Sequence, residues 1–383
     1  PNLVFILVSL AFCFVMISVT YTANKSEHPK ALFLLFFTEM WERFSFYGMK
    51  ALLMLYMTEV LFKEFKDGDV RAQGTAAAYL SLVYVMPFFG GIIADRFLGF
   101  RKSIILGGIL MSIGHFVLAI PSETSFYLGL SFMICGNGFF KPNISSFVGR
   151  FYKENDPKRG AGFSIFYMGI NIGALLGGSI CGYLGEAIDW HLGFGLAGVF
   201  MLLGVFTFIA FKSHLEKEGY SPVPDSLSLK TPVGLTRENG FYLFAFLLVP
   251  IFLIFVQNYK LMDYVMNPIG LGVLGYLIFL AFKEEKVVRE KMFAALILIC
   301  LSIVFFAFFE QGGTTLNLYA KRNVNMHGLK AAMVNNAINP YWIVLLSPIF
   351  AAMWQYLGKR NLEPNDPIKF GLAFLQVALG FYL

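Results

Sequence analysis

The sequence predicts an all-α integral membrane protein, and three observations lead to that fold class. Of its 383 residues, 57% are hydrophobic and only 14% are charged, against about 25% charged in a typical soluble domain. The mean hydropathy is +0.66. The apolar residues form runs of about 20, which is the length that a helix needs to cross a bilayer. This composition excludes a soluble enzyme, a nucleic-acid-binding module and a disordered chain.

Twelve apolar runs predict membrane helices, since a sheet with open edges cannot exist in lipid. The runs lie near 3–22, 31–57, 76–95, 102–120, 124–149, 161–185, 191–212, 241–257, 262–282, 290–316, 331–357 and 367–383. Polar turn sequences such as 66–69 (KDGD) and 363–367 (EPNDP) separate them. No basic segment precedes the first run, and we expect it to be a retained helix rather than a signal peptide.

The placement of lysine and arginine predicts the orientation of the chain. If the run at 31–57 starts in the cytoplasm, 20 of the 30 basic side chains lie on the cytoplasmic side and 7 lie outside. The positive-inside rule favours this arrangement. The net charge of +6 therefore reflects membrane topology and indicates no nucleic-acid partner. We expect a multi-pass protein of the cell inner (plasma) membrane.

The longest polar stretch of the sequence covers 213–240 and contains Pro222, Pro224 and Pro232. It separates six apolar runs, within 31–212, from the later ones. Such a stretch is typical of a linker between two helical bundles.

Ionisable side chains within the apolar runs are informative, because a charge near mid-bilayer costs about 2.5–3.5 kcal/mol unless it is paired or hydrated. Glu39, Glu42 and Arg43 project toward one side of a helix, since Glu39 and Arg43 are four residues apart. Two carboxylates and one guanidinium leave a local charge of −1, so one carboxylate is expected to carry a proton. The alternative is a static ion pair that fixes helix packing.

Lys141 and Glu310 are the next charges of this kind. Lys141 lies late in an apolar run, where Pro142 is expected to disturb the helix. Its ammonium either faces a cavity or reaches the inner membrane face. Glu310 lies among four phenylalanines and needs a partner or a proton. We expect Glu310 to pair with Lys141 across the two bundles and to release it on protonation.

Some uncharged polar residues also lie in apolar runs. Asn171 and Asn339 either form hydrogen bonds between helices or face a cavity, and Tyr84 either lines a cavity or anchors its helix at the interface. The sequence contains no P-loop, HExxH motif or nucleophile elbow, and its five histidines and four cysteines lack metal-ligand spacing. We therefore predict no enzyme, no metal site and no cofactor.

Five segments resemble the motifs of proton-dependent oligopeptide transporters, a branch of the major facilitator superfamily. Residues 39–48 (EMWERFSFYG) are similar to the family signature ExxERFxYYG, and 90–102 (GGIIADRFLGFRK) resemble the superfamily's loop motif. The other segments are 140–143 (FKPN), 166–171 (FYMGIN) and 310–316 (EQGGTTL). Phe46 stands where the signature usually has tyrosine, so the side-chain selectivity is expected to differ.

The resemblance implies two bundles of six helices with two additional helices between them. The chain then divides into an extra N-terminal apolar helix and linker (1–30), a six-helix bundle (31–212), a cytoplasmic linker plus two additional membrane helices (213–289), and a partial second bundle (290–383). We expect this second bundle to be incomplete, with three helices, because the last three helices of the family have no counterpart in this sequence.

The resemblance also implies a symporter that imports di- and tripeptides together with H+ by alternating access, acting as a monomer in the lipid bilayer. The residues that it assigns to proton coupling are Glu39, Glu42, Arg43 and Glu310. Those that it assigns to peptide binding are Arg43, Tyr47, Tyr84, Lys141, Asn171, Glu310 and Asn339. The loop motif that accompanies conformational change contains Gly91, Asp95, Arg96, Gly99 and Arg101.

Two alternatives stay open. A related proton-coupled carrier for nitrate or another small anion would also use Arg43 and Lys141, although Glu39 and Glu42 favour a peptide. A membrane peptide sensor without transport belongs to a different class, and the sequence contains no obvious signalling domain.

Overall fold

A computed structural model describes residues 1–156, 158–232, 234–360 and 362–382, and this part of the chain contains fourteen α-helices. In chain order they are α1 (Asn2–Asn24), α2 (Lys30–Tyr56), α3 (Gly68–Ile93), α4 (Gly99–Leu118), α5 (Glu123–Gly149), α6 (Lys158–Ala187), α7 (Trp190–Ala210), α8 (Pro224–Ser228), α9 (Arg237–Gln257), α10 (Lys260–Lys283), α11 (Lys286–Phe309), α12 (Thr315–Asn323), α13 (Ala331–Lys359) and α14 (Asp366–Tyr382). Each of the twelve predicted runs coincides with one long helix, which confirms the all-α class.

The helix boundaries differ from the predictions at three places. α3 begins at Gly68 rather than near residue 76, because its polar first turns extend the helix beyond the apolar run. The run predicted at 290–316 ends as a helix at Phe309 and continues as a 3₁₀ turn at Glu310–Gly313, where two glycines weaken the helix. Pro142 lies inside an unbroken α5, because packing against α3 and α4 holds the helix there.

Seven helical segments of the described residues are long and apolar enough to cross a membrane. They comprise α1, α6, α7, α9 and α10, together with α3–α4 and α11–α12, which each count as one segment. α2 does not meet the same criterion because Glu39, Glu42, Arg43 and Lys50 lie within it. Most of its residues are nevertheless buried among the helices of the first bundle.

The first bundle comprises α2–α7, and its most extensive contact joins α2 to α6. Gly173 and Gly177 of α6 face the backbone of α2, where a Cβ atom would collide with the carbonyl oxygens of Met40 and Phe44. Small residues at such spacing let two membrane helices approach closely. This close approach fixes the rotation of α2 about its own axis and so the direction in which Arg43 points.

α6 also joins the first bundle to the later helices. Gly178 and Gly182 contact α13, where a Cβ atom at Gly178 would lie 3.1 Å from the backbone carbon of Asn336. α12 and the 3₁₀ turn before it contact α2. The seam between the two halves therefore passes along α6 and α2, and polar residues of both halves meet there.

The extra N-terminal helix α1 lies across this seam. Its C-terminal part contacts α6, where Thr20 donates a hydrogen bond to the sulfur of Met168. Its N-terminal end contacts the loop between α12 and α13, since the Asn2 side chain donates to Gly328 O and accepts from Lys330 N, both at 3.0 Å. α1 therefore touches both halves of the protein.

Candidate functional site

A polar cavity of about 350 Å³ lies between α2, α3, α5 and α6 on one side and the segment from α11 to α13 on the other. The residues predicted to bind substrate all line it, namely Arg43, Tyr47, Tyr84, Lys141, Asn171, Glu310 and Asn339. Further lining residues include Lys50, Tyr167, Asn335 and Asn336. The structure thus brings the predicted residues together, and their binding roles stay predictions.

The predicted acid–base cluster lies at one wall of this cavity. Arg43 Nε is 3.1 Å from Glu39 Oε1, and Arg43 Nη2 donates to Glu42 Oε1 at 2.6 Å. Arg43 Nε also contacts Glu42 Oε2. All three residues are buried, with 1% of Glu39, 0% of Glu42 and 3% of Arg43 exposed, and of the three Arg43 is the one that lines the cavity. Arg43 therefore separates two buried carboxylates from the space that a substrate would occupy.

One oxygen of this cluster is poorly satisfied. Glu39 Oε2 is buried and has no hydrogen-bond partner among the described residues. A desolvated carboxylate oxygen without a partner is costly. The cluster contains two carboxylates and one guanidinium, as the sequence predicts, so it has one more formal negative charge than positive.

Phe46, which stands where the signature that this segment resembles has tyrosine, lies beside Arg43. The Arg43 guanidinium carbon lies 5.1 Å from the centre of the Phe46 ring, within the range of a cation–π contact. At this point the cavity wall offers a ring face and no hydroxyl group.

The expected pairing of Glu310 with Lys141 is wrong in this structure. Glu310 Oε2 lies 2.8 Å from Lys50 Nζ, and Glu310 Oε1 accepts a hydrogen bond from the Tyr84 hydroxyl at 3.0 Å. Glu310 stands where α11 breaks, close to α2. Gly313 leaves room for the lysine, because a Cβ atom there would lie 2.9 Å from Lys50 Cε. The ion pair still connects the two halves, but its cation comes from α2.

A sequence signal for Lys50 was present. Lys50 lies seven residues after Arg43, which is two helical turns along the same face of α2. The position of Lys50 along the cavity-facing side of α2, rather than the number of charges in the apolar runs, indicates the partner of Glu310.

Lys141 has a different environment from the expected one. Its ammonium lies 5.2 Å from the centre of the Tyr84 ring, and it forms no ion pair within the described residues. The side chain lines the cavity and is half-buried. Among the residues that the structure describes, Lys141 is thus a cation in a polar cavity with no carboxylate partner.

The asparagines add hydrogen-bonding groups to the same cavity. Asn171 Nδ2 donates to Tyr167 O of its own helix at 2.9 Å, so the described contacts of this side chain include no bond to another helix. Asn339 is exposed to the cavity. Asn335 and Asn336, which the sequence analysis missed, lie one turn earlier in α13. Three asparagines within an apolar helix were the signal that could have identified them.

The loop-motif residues lie away from the cavity, where α3 meets α4. Arg101 donates to the carbonyl oxygens of Glu218 at 2.6 Å and Glu216 at 2.7 Å, and it stacks on Tyr220. Gly99 has a φ of 77°, which strains any residue with a side chain, and an added Cβ atom would also collide with the backbone of Tyr220. Only glycine fits this position. This part of the motif fixes the start of the linker to the first bundle.

The remaining loop-motif residues make fewer contacts. Asp95 and Arg96 are exposed and form no ion pair among the described residues. Gly91 faces Pro142, with 3.8 Å between its added Cβ atom and Pro142 Cβ. A conformational role for the motif stays a prediction.

A set of ion pairs at the other end of the cavity joins the two halves, and the sequence analysis did not single them out. Glu186, at the end of α6, accepts from Lys321 Nζ at 2.5 Å and from Ala332 N at 2.8 Å. Asp69, at the start of α3, accepts from both terminal nitrogens of Arg322, at 2.6 and 2.8 Å. These contacts lie on the side predicted to be outside.

Comparisons with known proteins place these features among transporters. A family model described as "POT family" matches residues 101–383. The uncharacterized transporter YclF of Bacillus subtilis is 38% identical over 370 residues, covering 93% of this chain and 73% of that protein. A di-/tripeptide transporter of Lactococcus lactis is 33% identical over 389 residues, covering 94% of this chain and 76% of that protein.

Solved structures show the same likeness. A structure described as peptide transporter POT in complex with sulfate is 35% identical, with a TM-score of 0.78, and covers 93% of this chain and 74% of that one. A POT family transporter in complex with 5-aminolevulinic acid is 31% identical, with a TM-score of 0.75, and covers 93% and 76%. These relatives are transporters and not enzymes. Seven helical segments of the described residues of this chain are long and apolar enough to cross a membrane, which fits a protein of that kind.

Proposed function

The chain belongs to the POT family of transporters, and from that premise we propose that it is a proton-coupled symporter that imports di- and tripeptides across the cell inner membrane. One observation supports this most strongly. The Lys50–Glu310 ion pair joins the two halves of the protein in a polar cavity that is also lined by Arg43, whose guanidinium is paired with two buried carboxylates. Such a cavity contains both a substrate site and titratable groups.

The charges of the cavity match the two ends of a peptide. Every unmodified peptide has one terminal carboxylate and one terminal amine, whatever its side chains are. Lys141 has no carboxylate partner among the described residues and suits the peptide carboxylate. Glu310 suits the amine in the part of the cycle in which it is ionised and Lys50 has released it. The asparagines of α6 and α13 can bond the peptide's amide groups.

The size of the cavity favours short peptides. Its volume of about 350 Å³ is near the lower end of the roughly 300–1,000 Å³ found for small-molecule sites. Among similar solved structures, one POT family transporter is described in complex with a thioalcohol-conjugated peptide. A short peptide, held mainly by its ends, is the substrate class that this space supports.

The proton acts on the ion pair between the halves. Protonation of Glu310 removes its negative charge, so Lys50 loses its partner and the contact between α2 and the α11 break weakens. The buried cluster of Glu39, Glu42 and Arg43 offers a second place for a proton. One charge that crosses a potential of 100 mV supplies about 2.3 kcal/mol, which drives the uptake of peptide against its gradient.

The ion pairs on the outer side complete the cycle. Lys321 and Arg322 close the outer end of the cavity against Glu186 and Asp69. In an outward-open state these contacts are broken, and the protein alternates between the two arrangements as a monomer.

The test is uptake of a labelled dipeptide into proteoliposomes by the Glu310→Gln variant. We expect accumulation driven by an inward proton gradient to be lost, while exchange of labelled for unlabelled peptide is retained. Glu123→Gln, an exposed glutamate at the start of α5, serves as the control and is expected to accumulate peptide normally. Accumulation by Glu310→Gln equal to that of the unmodified protein would remove Glu310 from proton coupling.

A carrier for nitrate or another small anion is the second candidate, because Lys141 lacks a carboxylate partner among the described residues. Competition between labelled dipeptide and nitrate separates the two. Displacement of the dipeptide by millimolar nitrate, with no uptake of dipeptide, would favour the anion carrier.

A further inference from the structure

A second cavity, of about 580 Å³, lies between the end of α1, the start of α2 and the end of α7. It shares no lining residue with the polar cavity described above. α2 begins on the side that the positive-inside rule assigns to the cytoplasm. The cavity therefore lies at the cytoplasmic boundary of the membrane.

The open end of this cavity is basic. Lys25, Lys30 and His214 line it, and no carboxylate is among its lining residues. Neither lysine forms an ion pair within the described residues, and both are exposed. The carboxylate nearest along the chain, that of Glu27, is engaged with Lys158 at 2.7 Å. The site thus carries positive charge that no described group of the protein neutralises.

The first turn of α2 adds to this charge. Pro29 precedes the helix and provides no side-chain cap, so the first N–H groups of α2 have no side-chain acceptor. The N-terminal end of a helix carries partial positive charge that favours an anion. Lys30 is the first residue of this turn.

The other lining residues of the cavity are mostly apolar and aromatic. The rings of Tyr21 and Phe33 are 5.0 Å apart in an edge-to-face contact. Phe211 is 51% exposed, and its ring stacks on His214 with 6.0 Å between the centres. A soluble anion gains nothing from these residues, whereas an acyl chain does.

We propose that this cavity binds an anionic phospholipid of the cytoplasmic leaflet. Lys25, Lys30 and His214 hold the headgroup phosphate, and Tyr21, Phe33 and Phe211 hold the first part of an acyl chain. Basic pockets between membrane helices on the cytoplasmic side bind lipid headgroups in this way. α1 supplies Tyr21 and Lys25, so the extra N-terminal helix completes the site.

The test is native mass spectrometry of the purified full chain in detergent, titrated with phosphatidylglycerol and, separately, with phosphatidylethanolamine. We expect tighter binding of phosphatidylglycerol. In the Lys25→Gln/Lys30→Gln variant this binding is expected to be about 30-fold weaker, since each lysine near a membrane surface contributes about fivefold. The charge-preserving variant Lys25→Arg/Lys30→Arg is expected to keep it.

The control variant is Lys153→Gln/Lys217→Gln, which removes the same charge from exposed cytoplasmic positions outside the cavity. Equal weakening in both glutamine variants would show a general charge effect and overturn the proposal. Displacement of phosphatidylglycerol by an equal concentration of glycerol phosphate would also overturn it, because the site would then bind a soluble anion. The binding measurement does not depend on transport, so it stands apart from the proposed symport.

Discussion

Neutralising Glu186 is expected to open the outer side of the protein. The Glu186 side chain is 3% exposed and accepts hydrogen bonds from Lys321 Nζ and from Ala332 N. These two contacts tie the outer end of α6 to α12 and to the first turn of α13. Because the two halves separate at this end in an outward-open state, both contacts must break during the proposed cycle.

The size of the effect follows from the burial of the pair. Removing one partner from a fully buried ion pair costs about 3–5 kcal/mol, whereas an exposed pair contributes about 0–1 kcal/mol. Lys321 is 29% exposed and also lies 3.4 Å from the Glu59 carboxylate, so its charge is not left wholly unpaired; we therefore place Glu186→Gln between these limits, at about 2 kcal/mol. The population of outward-open protein is then expected to rise roughly 30-fold.

The assay reports the outward-open population directly. Ile170 lines the cavity, so an Ile170→Cys background provides a thiol that a membrane-impermeant maleimide reaches from outside only when the outer side opens. The rate of modification is measured in right-side-out vesicles. We expect it to rise about 30-fold when Glu186→Gln is added, as long as the open state remains a minority.

A more exposed ion pair on the same side of the protein provides the matched control. Arg322 and Asp69 form a neighbouring pair that is 50% and 46% exposed, so Arg322→Gln is expected to raise the rate less than about fivefold. Glu64→Gln, at an exposed outer position, is expected to change nothing. A larger effect for Arg322→Gln than for Glu186→Gln, or no effect of Glu186→Gln, would refute the argument from burial.

Three further predictions concern packing, the linker and binding. Gly173→Ala is expected to lower the free energy of unfolding by about 1–3 kcal/mol, because the added methyl group meets the Met40 carbonyl oxygen. Gly270 has open space around it, so Gly270→Ala is not expected to lower the free energy of unfolding. Arg101→Lys is expected to accelerate chymotrypsin cleavage in the linker about tenfold, since a lysine cannot make the same set of bonds; an unchanged cleavage rate would contradict a role in holding the linker. Lys141→Gln is expected to raise the KM for dipeptides about 10–100-fold while kcat changes little, as for the loss of a charge-assisted bond, and an unchanged KM would remove this ammonium from the binding site.

The positions of the long helices could be predicted from the sequence, because the bilayer sets their length and lipid forbids unpaired backbone groups. The same reasoning identified residues that the structure brings into one cavity, since charged and amide groups within apolar runs must avoid lipid. Glu310 and Lys141 were found in this way before any packing was known. Both residues also lie in segments that resemble family motifs, Lys141 in 140–143 and Glu310 in 310–316.

Pairing between helices could not be predicted in the same manner. Lys50, rather than Lys141, pairs with Glu310. α11 ends at this glutamate, and Gly313 leaves room for the Lys50 side chain. Glu186, Lys321 and Asp69 looked like ordinary loop charges in the sequence. Their partners lie more than one hundred residues away, and no local pattern indicates such a contact.

The sequence by itself determined that this chain is a helical membrane protein with acids and bases inside its apolar runs, because hydrophobic length and the cost of a buried charge act locally along the chain. Only the tertiary structure decided which charges pair across the two halves and where α1 lies over their seam. The physical reason is that ion pairing depends on distances of a few ångströms between separate helices. Those distances are set by glycine contacts and helix breaks that act together in the packed protein.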